Sequence, residues 1–565
     1  MLIFEEEKTM RLKKLTTVCC TLAMAASIIL PAGSAVAAEE VPEATEGAIV
    51  VDAAVPIEVT GGKITGTTSE DGEIAIYKGI PYAQAPVGDL RWAAPMDPEP
   101  WEGVKACEKF GPVSWQNWPN FDMPWMYVYS PEFLCSEERD IRDEDCLYLN
   151  VWTKQGETDG KRPVIVYIHG GGFGEGSGSI PVYDGTNLAK DDIVFVNINY
   201  RLGVQGFLTI KELDEESPYG TSGNYGIIDC VKSLEWVKAN IAKFGGDPDN
   251  VTIAGQSAGG MAVNVLIHTH IATGLFNNAV VFSGGYMNLN RGGLGGETKE
   301  EAQAAFRETY PDVTLEELRT LSMEELFNNY PIGNSTVIDH AIIGEGNVES
   351  RLAGDFNPFN VIVGYVNGDA CLFSGGSAGT TVDEYYTWLD ENYGEDAELM
   401  KELYPVASDE EVAAVCSQIS YDRMVMGAWG EALMETFATD NDAFIYFVDH
   451  EVPADVPVGM FHTGDIPYWL GGTLVDRAQY ETDDDHAMYQ TMKSYFENFI
   501  AKADPNGEGL PQWDKFDGSY RYMLIGDNTY EMTEIPKERG DYWVSVLNTL
   551  YEGAVDTALQ AMDAE

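Results

Sequence analysis

The run Asn250-Val-Thr-Ile-Ala254, followed by Gly255-Gln-Ser-Ala-Gly259, decides how this chain folds. Its first half is a short β-branched strand pattern. Its second half matches G-x-S-x-G, and an apolar stretch of helical character begins near Met261. A serine set on a sharp strand-to-helix turn has a strained backbone, and glycines on either side leave room for the close approach. The turn lifts the Ser257 hydroxyl above a sheet, and the helix N-terminus favours negative charge developing beside it. Strand, elbow and helix in that order mark Ser257 as a nucleophile.

Working upstream, Pro163 to Ile168 (PVIVYI) and Ile193 to Ile198 (IVFVNI) are continuous apolar runs, as strands buried on both faces require. Val251 to Ala254, Ala279 to Phe282, Val361 to Val363 and Ala443 to Val448 repeat the pattern. Ile227 to Phe244 carries apolar residues at helical spacing and stops at Gly245-Gly246. Strands alternating with helices predict an α/β architecture with a mostly parallel sheet. The charged helical stretch 299–327 is expected to cap it. The PVIVYI strand runs directly into His169-Gly-Gly-Gly-Phe173, whose exposed backbone N–H groups suit a carbonyl oxygen becoming anionic. A phosphate loop would continue with Gly-Lys-Ser/Thr, and Gly174-Glu-Gly-Ser-Gly-Ser179 does not.

The sequence has 565 residues, 44% of them apolar, with 58 glycines, which is enough for a sizeable core with many tight turns. A net charge of −58 argues against nucleic acid and anionic membrane surfaces as partners. Residues 10–37 read as an export signal: Arg11, Lys13 and Lys14 precede an apolar stretch, and Ala35-Val36-Ala37 offers a cleavage site. Residues 38–56 read as a mobile acidic leader, and 57–565 as one catalytic domain without a membrane anchor. Export permits disulfides among Cys107, Cys135, Cys146, Cys230, Cys371 and Cys416. Neither CxxC nor HExxH occurs, so no metal and no cofactor are expected. Oligomeric state is not legible.

With these motifs in order, the sequence resembles the type-B carboxylesterases, the family of cholinesterases and bacterial p-nitrobenzyl esterases. The resemblance spans roughly Gly61 to Trp513. It is carried by Lys78-Gly-Ile-Pro-Tyr-Ala83, Pro86-Val-Gly-Asp-Leu-Arg91, Glu144-Asp-Cys-Leu-Tyr-Leu-Asn-Val-Trp152, Asn199-Tyr-Arg-Leu-Gly203, Gly223-Asn-Tyr-Gly226 and Phe244-Gly-Gly-Asp-Pro248, with the glycine loop and the elbow. It implies the α/β-hydrolase fold, hydrolysis of small-molecule esters, and the N–H groups of Gly171, Gly172 and Ala258 as oxyanion donors.

That fold orders its triad serine, acid, histidine. His450, His462 and His486 follow Ser257 far enough to leave room for an acid strand between. His486 follows an acidic run in what reads as a solvated helix start, and His450 ends a strand. His462 lies in Gly459-Met-Phe-His-Thr-Gly-Asp-Ile-Pro-Tyr468, which resembles the family's G-A-x-H-G-x-E-x-P-Y, with Met460 and Thr463 as departures. Asp369 follows the strand Asn360-Val-Ile-Val-Gly364, where the family usually has glutamate. Its shorter side chain requires a closer approach to His462. Glu345 is the rival acid. Gln256 stands where the family usually has glutamate, which argues against choline-type cationic esters. The family half-cystine matching Cys146 loses its usual partner, since Ser114 stands there, and leaves Cys135 or Cys107 to substitute. The same fold also admits catalytically inert adhesion members and amidase, thioesterase or lactonase chemistry.

Overall fold

The β-branched runs read from the sequence form the middle of one large sheet. A computed structural model describes residues 49–120, 128–285, 287, 297–332, 335–344, 359–369, 379–437, 439–454, 459–472, 478–527, 529–551 and 553–562. The expected export signal, Glu345 and Cys371 lie outside these residues. Among the described residues the main sheet has eleven strands. In chain order they are β1 (Thr67–Thr68), β2 (Ile74–Pro81), β3 (Tyr148–Lys154), β4 (Arg162–Ile168), β5 (Val194–Ile198), β6 (Gly246–Gln256), β7 (Asn278–Phe282), β8 (Asn360–Val366), β9 (Ala443–Asp449), β10 (Arg521–Gly526) and β11 (Thr529–Glu534). Their spatial order is β11-β10-β9-β8-β7-β6-β4-β5-β3-β2-β1. From β5 across to β10 every pairing is parallel, and antiparallel strands close both edges.

The parallel strands read as unbroken apolar runs because both faces are covered. Along β4, Val164, Val166 and Ile168 enter one apolar cluster, whereas Ile165 and Tyr167 enter the other. The first cluster includes Ile227, Val231 and Leu234 of helix Tyr225–Asn240 and Val263 and Leu266 of helix Ala258–His268. The second includes Met488, Met492, Phe496 and Phe499 of helix Asp483–Lys502. Each such buried side chain contributes about 1.5–3 kcal/mol relative to exposure. The charged stretch 299–327 forms helices Lys299–Thr309, Leu315–Thr320 and Met323–Asn329, each opened by a Thr or Ser capping box. Among the described residues no helix is long and apolar enough to cross a membrane.

Two expectations change. Within the stretch read as a leader, Ile49–Val51 forms a strand paired antiparallel with Gly156–Thr158, and Ala53 is buried. Three residues are too few for the alternation that marks a strand in sequence. No disulfide joins Cys107, Cys135 and Cys146, which are separate buried thiols, as is Cys230. Cys135 donates to the Ser177 hydroxyl at 3.3 Å, and Cys146 accepts from Gln205 Nε2 at 3.8 Å. Burial pushes the Cys107 thiol up to about 11 and Cys135 to about 12. These thiols therefore stay protonated and unreactive.

Register brings the functional loops to one edge. Gly255 pairs with Ile168, Gln256 with Phe282, and Phe282 with Gly364. The glycine loop, the serine elbow and the acid loop therefore leave the sheet at its carboxyl end, where parallel sheets carry their sites.

Candidate active site

At the end of β6, Ser257 has φ 55° and ψ −124°, an uncommon backbone conformation for a residue with a Cβ. The surroundings hold it there. Ser257 N–H donates to the Phe282 carbonyl at 2.9 Å, and Met261 N–H donates to the Ser257 carbonyl at 2.9 Å. The flanking glycines are a steric necessity: a Cβ on Gly255 would lie 2.3 Å from the Gly259 carbonyl oxygen, and one on Gly259 would lie 2.1 Å from that of Ile168. Helix Ala258–His268 begins immediately, earlier than Met261, because the small residues Ala258, Gly259 and Gly260 hide its first turn from an apolar pattern.

The glycine loop folds down onto this elbow. A Cβ on Gly170 would fall 3.1 Å from Ser257 Cβ, so the loop backbone rests against Ser257. Gly171 and Gly172 both have positive φ, 106° and 59°. Among the described residues no protein acceptor takes the N–H of Gly171, Gly172 or Ala258. His169 turns away from the chemistry. Its ring stacks on Tyr200, its Nδ1 lies 2.8 Å from the Gly170 carbonyl oxygen, and burial lowers its pKa to about 4. Behind it, Arg201 and Asp229 form a fully buried bidentate ion pair that anchors the strand exit.

Asp369 is fully buried beyond β8. Its Oδ1 lies 2.5 Å from His462 Nδ1, and its Oδ2 accepts from the Ser283 hydroxyl at 2.6 Å and the Val366 N–H at 2.9 Å. A carboxylate can only accept, so this contact puts the proton on Nδ1 and leaves Nε2 as the basic nitrogen. The close approach that the short aspartate requires is built at Gly368. Its N–H donates to the Met460 carbonyl at 3.0 Å, and a Cβ there would fall 2.3 Å from that oxygen and 2.7 Å from Phe461 Cα. Gly368→Ala is therefore expected to separate the acid and histidine loops and lower kcat/KM by about 100-fold. Kinetics alongside circular dichroism checks this, and unchanged kcat/KM would show that the loops need not touch.

Tyr129 and Gln256 also hold His462. The Tyr129 hydroxyl donates to its backbone carbonyl at 2.9 Å. The amide nitrogen of Gln256 lies 3.1 Å from Nε2 and 3.4 Å from Nδ1, near-equal separations that set it against the ring rather than in line with one nitrogen. Thr463 follows at φ 85°, a conformation glycine takes freely, where the family pattern has glycine. Three residues after His462, Asp465 is fully buried, accepting from Trp469 Nε1 at 3.1 Å and the Tyr446 hydroxyl at 3.3 Å. Burial, followed by the nearby Asp369 charge, raises its carboxyl to about 7.

The structure thus joins Asp369 to His462, sets His462 against the residue before Ser257, and lays the glycine loop on the elbow. Gln256, Ser283, Tyr129 and Asp465 complete the surroundings, and sequence reading assigned none of these contacts. The other histidines stand apart. His450 lies between Asp485 and Asp527, and His486 is more than half exposed on helix Asp483–Lys502. Among the described residues no cluster of His, Cys, Asp and Glu side chains is disposed to hold a metal ion.

Known proteins share this fold. A para-nitrobenzyl esterase structure superposes with a TM-score of 0.69 at 27% identity, covering 87% of this chain and 99% of that one. The para-nitrobenzyl esterase of Bacillus subtilis is 31% identical over 506 residues, 84% of this chain and 95% of that protein. Fumonisin B1 esterase of Sphingopyxis macrogoltabida is 34% identical over 358 residues, 62% of this chain and 64% of that protein's length. Liver carboxylesterase of Sus scrofa is 31% identical over 524 residues, 84% of this chain and 89% of that protein. The Carboxylesterase family model matches residues 52–543. An α/β-hydrolase sheet ending in this elbow, with relatives aligned along nearly its whole length, makes the chain a member of the carboxylesterase family and a carboxylic ester hydrolase.

Proposed function

We propose that the chain is an exported serine carboxylesterase acting through Ser257, His462 and Asp369. The observation that carries this reading is the Asp369–His462 contact of 2.5 Å, made beside the elbow that presents Ser257. His462 Nε2 takes the Ser257 proton as the hydroxyl attacks the ester carbonyl, and the N–H groups of Gly171, Gly172 and Ala258 hold the oxyanion. The imidazolium then protonates the leaving alcohol, and water repeats the sequence on the acyl-enzyme. Asp369 stays ionised and fixes the imidazole tautomer. These side chains and backbone groups perform the steps without a cofactor or metal.

The signal at 10–37, read as cleaved after Ala37, supports export, and the catalytic domain reaches back to the strand Ile49–Val51. The activities for which the relatives are named favour small-molecule esters, and p-nitrophenyl esters of increasing acyl length would rank acyl preference. A fluorophosphonate probe followed by peptide mass spectrometry tests the nucleophile. One modified residue, Ser257, is expected. Stoichiometric labelling elsewhere, or none under conditions of full ester turnover, would sink the assignment.

A further inference from the structure

Glu175 lies six residues after His169, where the glycine loop turns back toward the sheet, and the mechanism above does not use it. Its backbone N–H donates to the Gly171 carbonyl at 3.0 Å. Its side chain runs alongside the same glycine, since a Cβ on Gly171 would fall 3.0 Å from Glu175 Cγ. The carboxylate is therefore anchored beside the loop assigned to the oxyanion. It also acts on the other wall of the site, because its charge is felt by the Tyr129 hydroxyl, which caps the His462 carbonyl, and by the Cys135 thiol.

Two properties separate this carboxylate from the many acidic groups on the surface. It is open to solvent, yet enough protein surrounds it to raise its pKa above the ordinary carboxylate value, with desolvation as the cause. The protein that surrounds it includes the glycine loop, against whose Gly171 its side chain lies. Among the described residues, no hydrogen bond or ion pair engages its carboxylate oxygens. By contrast, Glu212, Glu216 and Glu144 pair with Arg307, Arg319 and Arg91. A lone negative charge beside an oxyanion hole opposes the charge that must develop there. The opposition is removed when the substrate brings a positive charge to this carboxylate, and doubled when it brings a negative one.

We propose that Glu175 is a specificity-determining residue that selects esters carrying a protonated amine within reach of the scissile carbonyl and disfavours esters carrying a carboxylate there. This deepens the esterase reading and rests on it. The negative charge that Gln256 lacks beside the nucleophile enters instead from the glycine loop. The whole-protein charge of −58 attracts cations to every part of the surface, but Glu175→Gln alters it by a single unit. A substitution effect on substrate charge preference therefore reports the local contact.

The test uses the full chain and three acetates of matched length: dimethylaminopropyl acetate (cationic), isohexyl acetate (its neutral isostere) and carboxypropyl acetate (anionic). Glu175→Gln is expected to lower the cationic-to-neutral ratio of kcat/KM roughly tenfold and to raise the anionic-to-neutral ratio by a similar factor. Glu175→Asp keeps the wild-type order, and high salt shrinks the wild-type preference. Ratios within about twofold of wild type in Glu175→Gln, with neutral ester still hydrolysed, overturn this proposal alone. An equal loss on all three esters overturns it too, since that would mark a structural role. Failure of the wild-type protein to hydrolyse the neutral ester overturns the esterase reading and this one with it.

Discussion

Ser257→Ala and His462→Ala each lower kcat on a p-nitrophenyl ester by roughly 10⁵- to 10⁶-fold, and the double variant loses no more than either alone. The reason is that the two residues perform one act. A serine hydroxyl is a weak nucleophile until a base removes its proton, and the imidazole has no other role in the attack. Asp369→Asn costs about 10⁴-fold, less because the base remains but in the wrong tautomer. The surroundings of Asp369 dictate that outcome. One carboxylate oxygen accepts from Ser283 and from the Val366 N–H, and the other faces His462 Nδ1. An asparagine must turn its NH₂ toward one of these sides. Toward Val366 it meets an N–H donor, so it faces Nδ1 and forces the proton onto Nε2. Activity titrated against folded protein measures each loss. Additive effects, or Ser257→Ala retaining more than about one per cent of wild-type turnover, would mean that another group carries the attack.

How much of this was legible in sequence depends on how far each contact reaches along the chain. Ser257 and the glycine loop were readable because each is announced by the strand immediately before it. Val164 to Ile168 and Val194 to Ile198 show as strands because every one of those residues is buried. Asp369 was readable because its strand is local, and His462 because its loop resembles a family segment. The supporting contacts were not. Tyr129 reaches His462 across 333 positions, Ser283 reaches Asp369 across 86, and Gln256 reaches His462 across 206. No local pattern encodes a partner at such separations. Glu175 was quoted in the glycine-rich run only as evidence against a phosphate loop. Its meaning depends on its place against Gly171 in the folded loop, which nothing in its sequence neighbours specifies. The disulfide expectation failed for a related reason: export permits pairing, but only placement in space decides it, and these thiols are dispersed through the core.

Asp465→Asn makes the protein more stable at about pH 8 while changing little at about pH 4, a difference of about 4 kcal/mol. The carboxyl rises from an ordinary 3.8 to about 7 in the fold, because it is buried and then because Asp369 is charged beside it. Between those values the folded state holds a proton that the unfolded chain has released. Stability contributed by this group is therefore fully present below 3.8 and is lost progressively as pH rises through about 7, by about 1.4 kcal/mol per unit. Asparagine matches the protonated acid in shape. Its oxygen accepts from Trp469 Nε1 and Tyr446, and its NH₂ occupies the side on which Oδ1 has no hydrogen-bond partner among the described residues. Urea unfolding at several pH values should show wild type losing stability from about pH 4 to 7 and the variant doing so far less. Parallel stability curves for wild type and variant would mean that Asp465 holds one protonation state throughout.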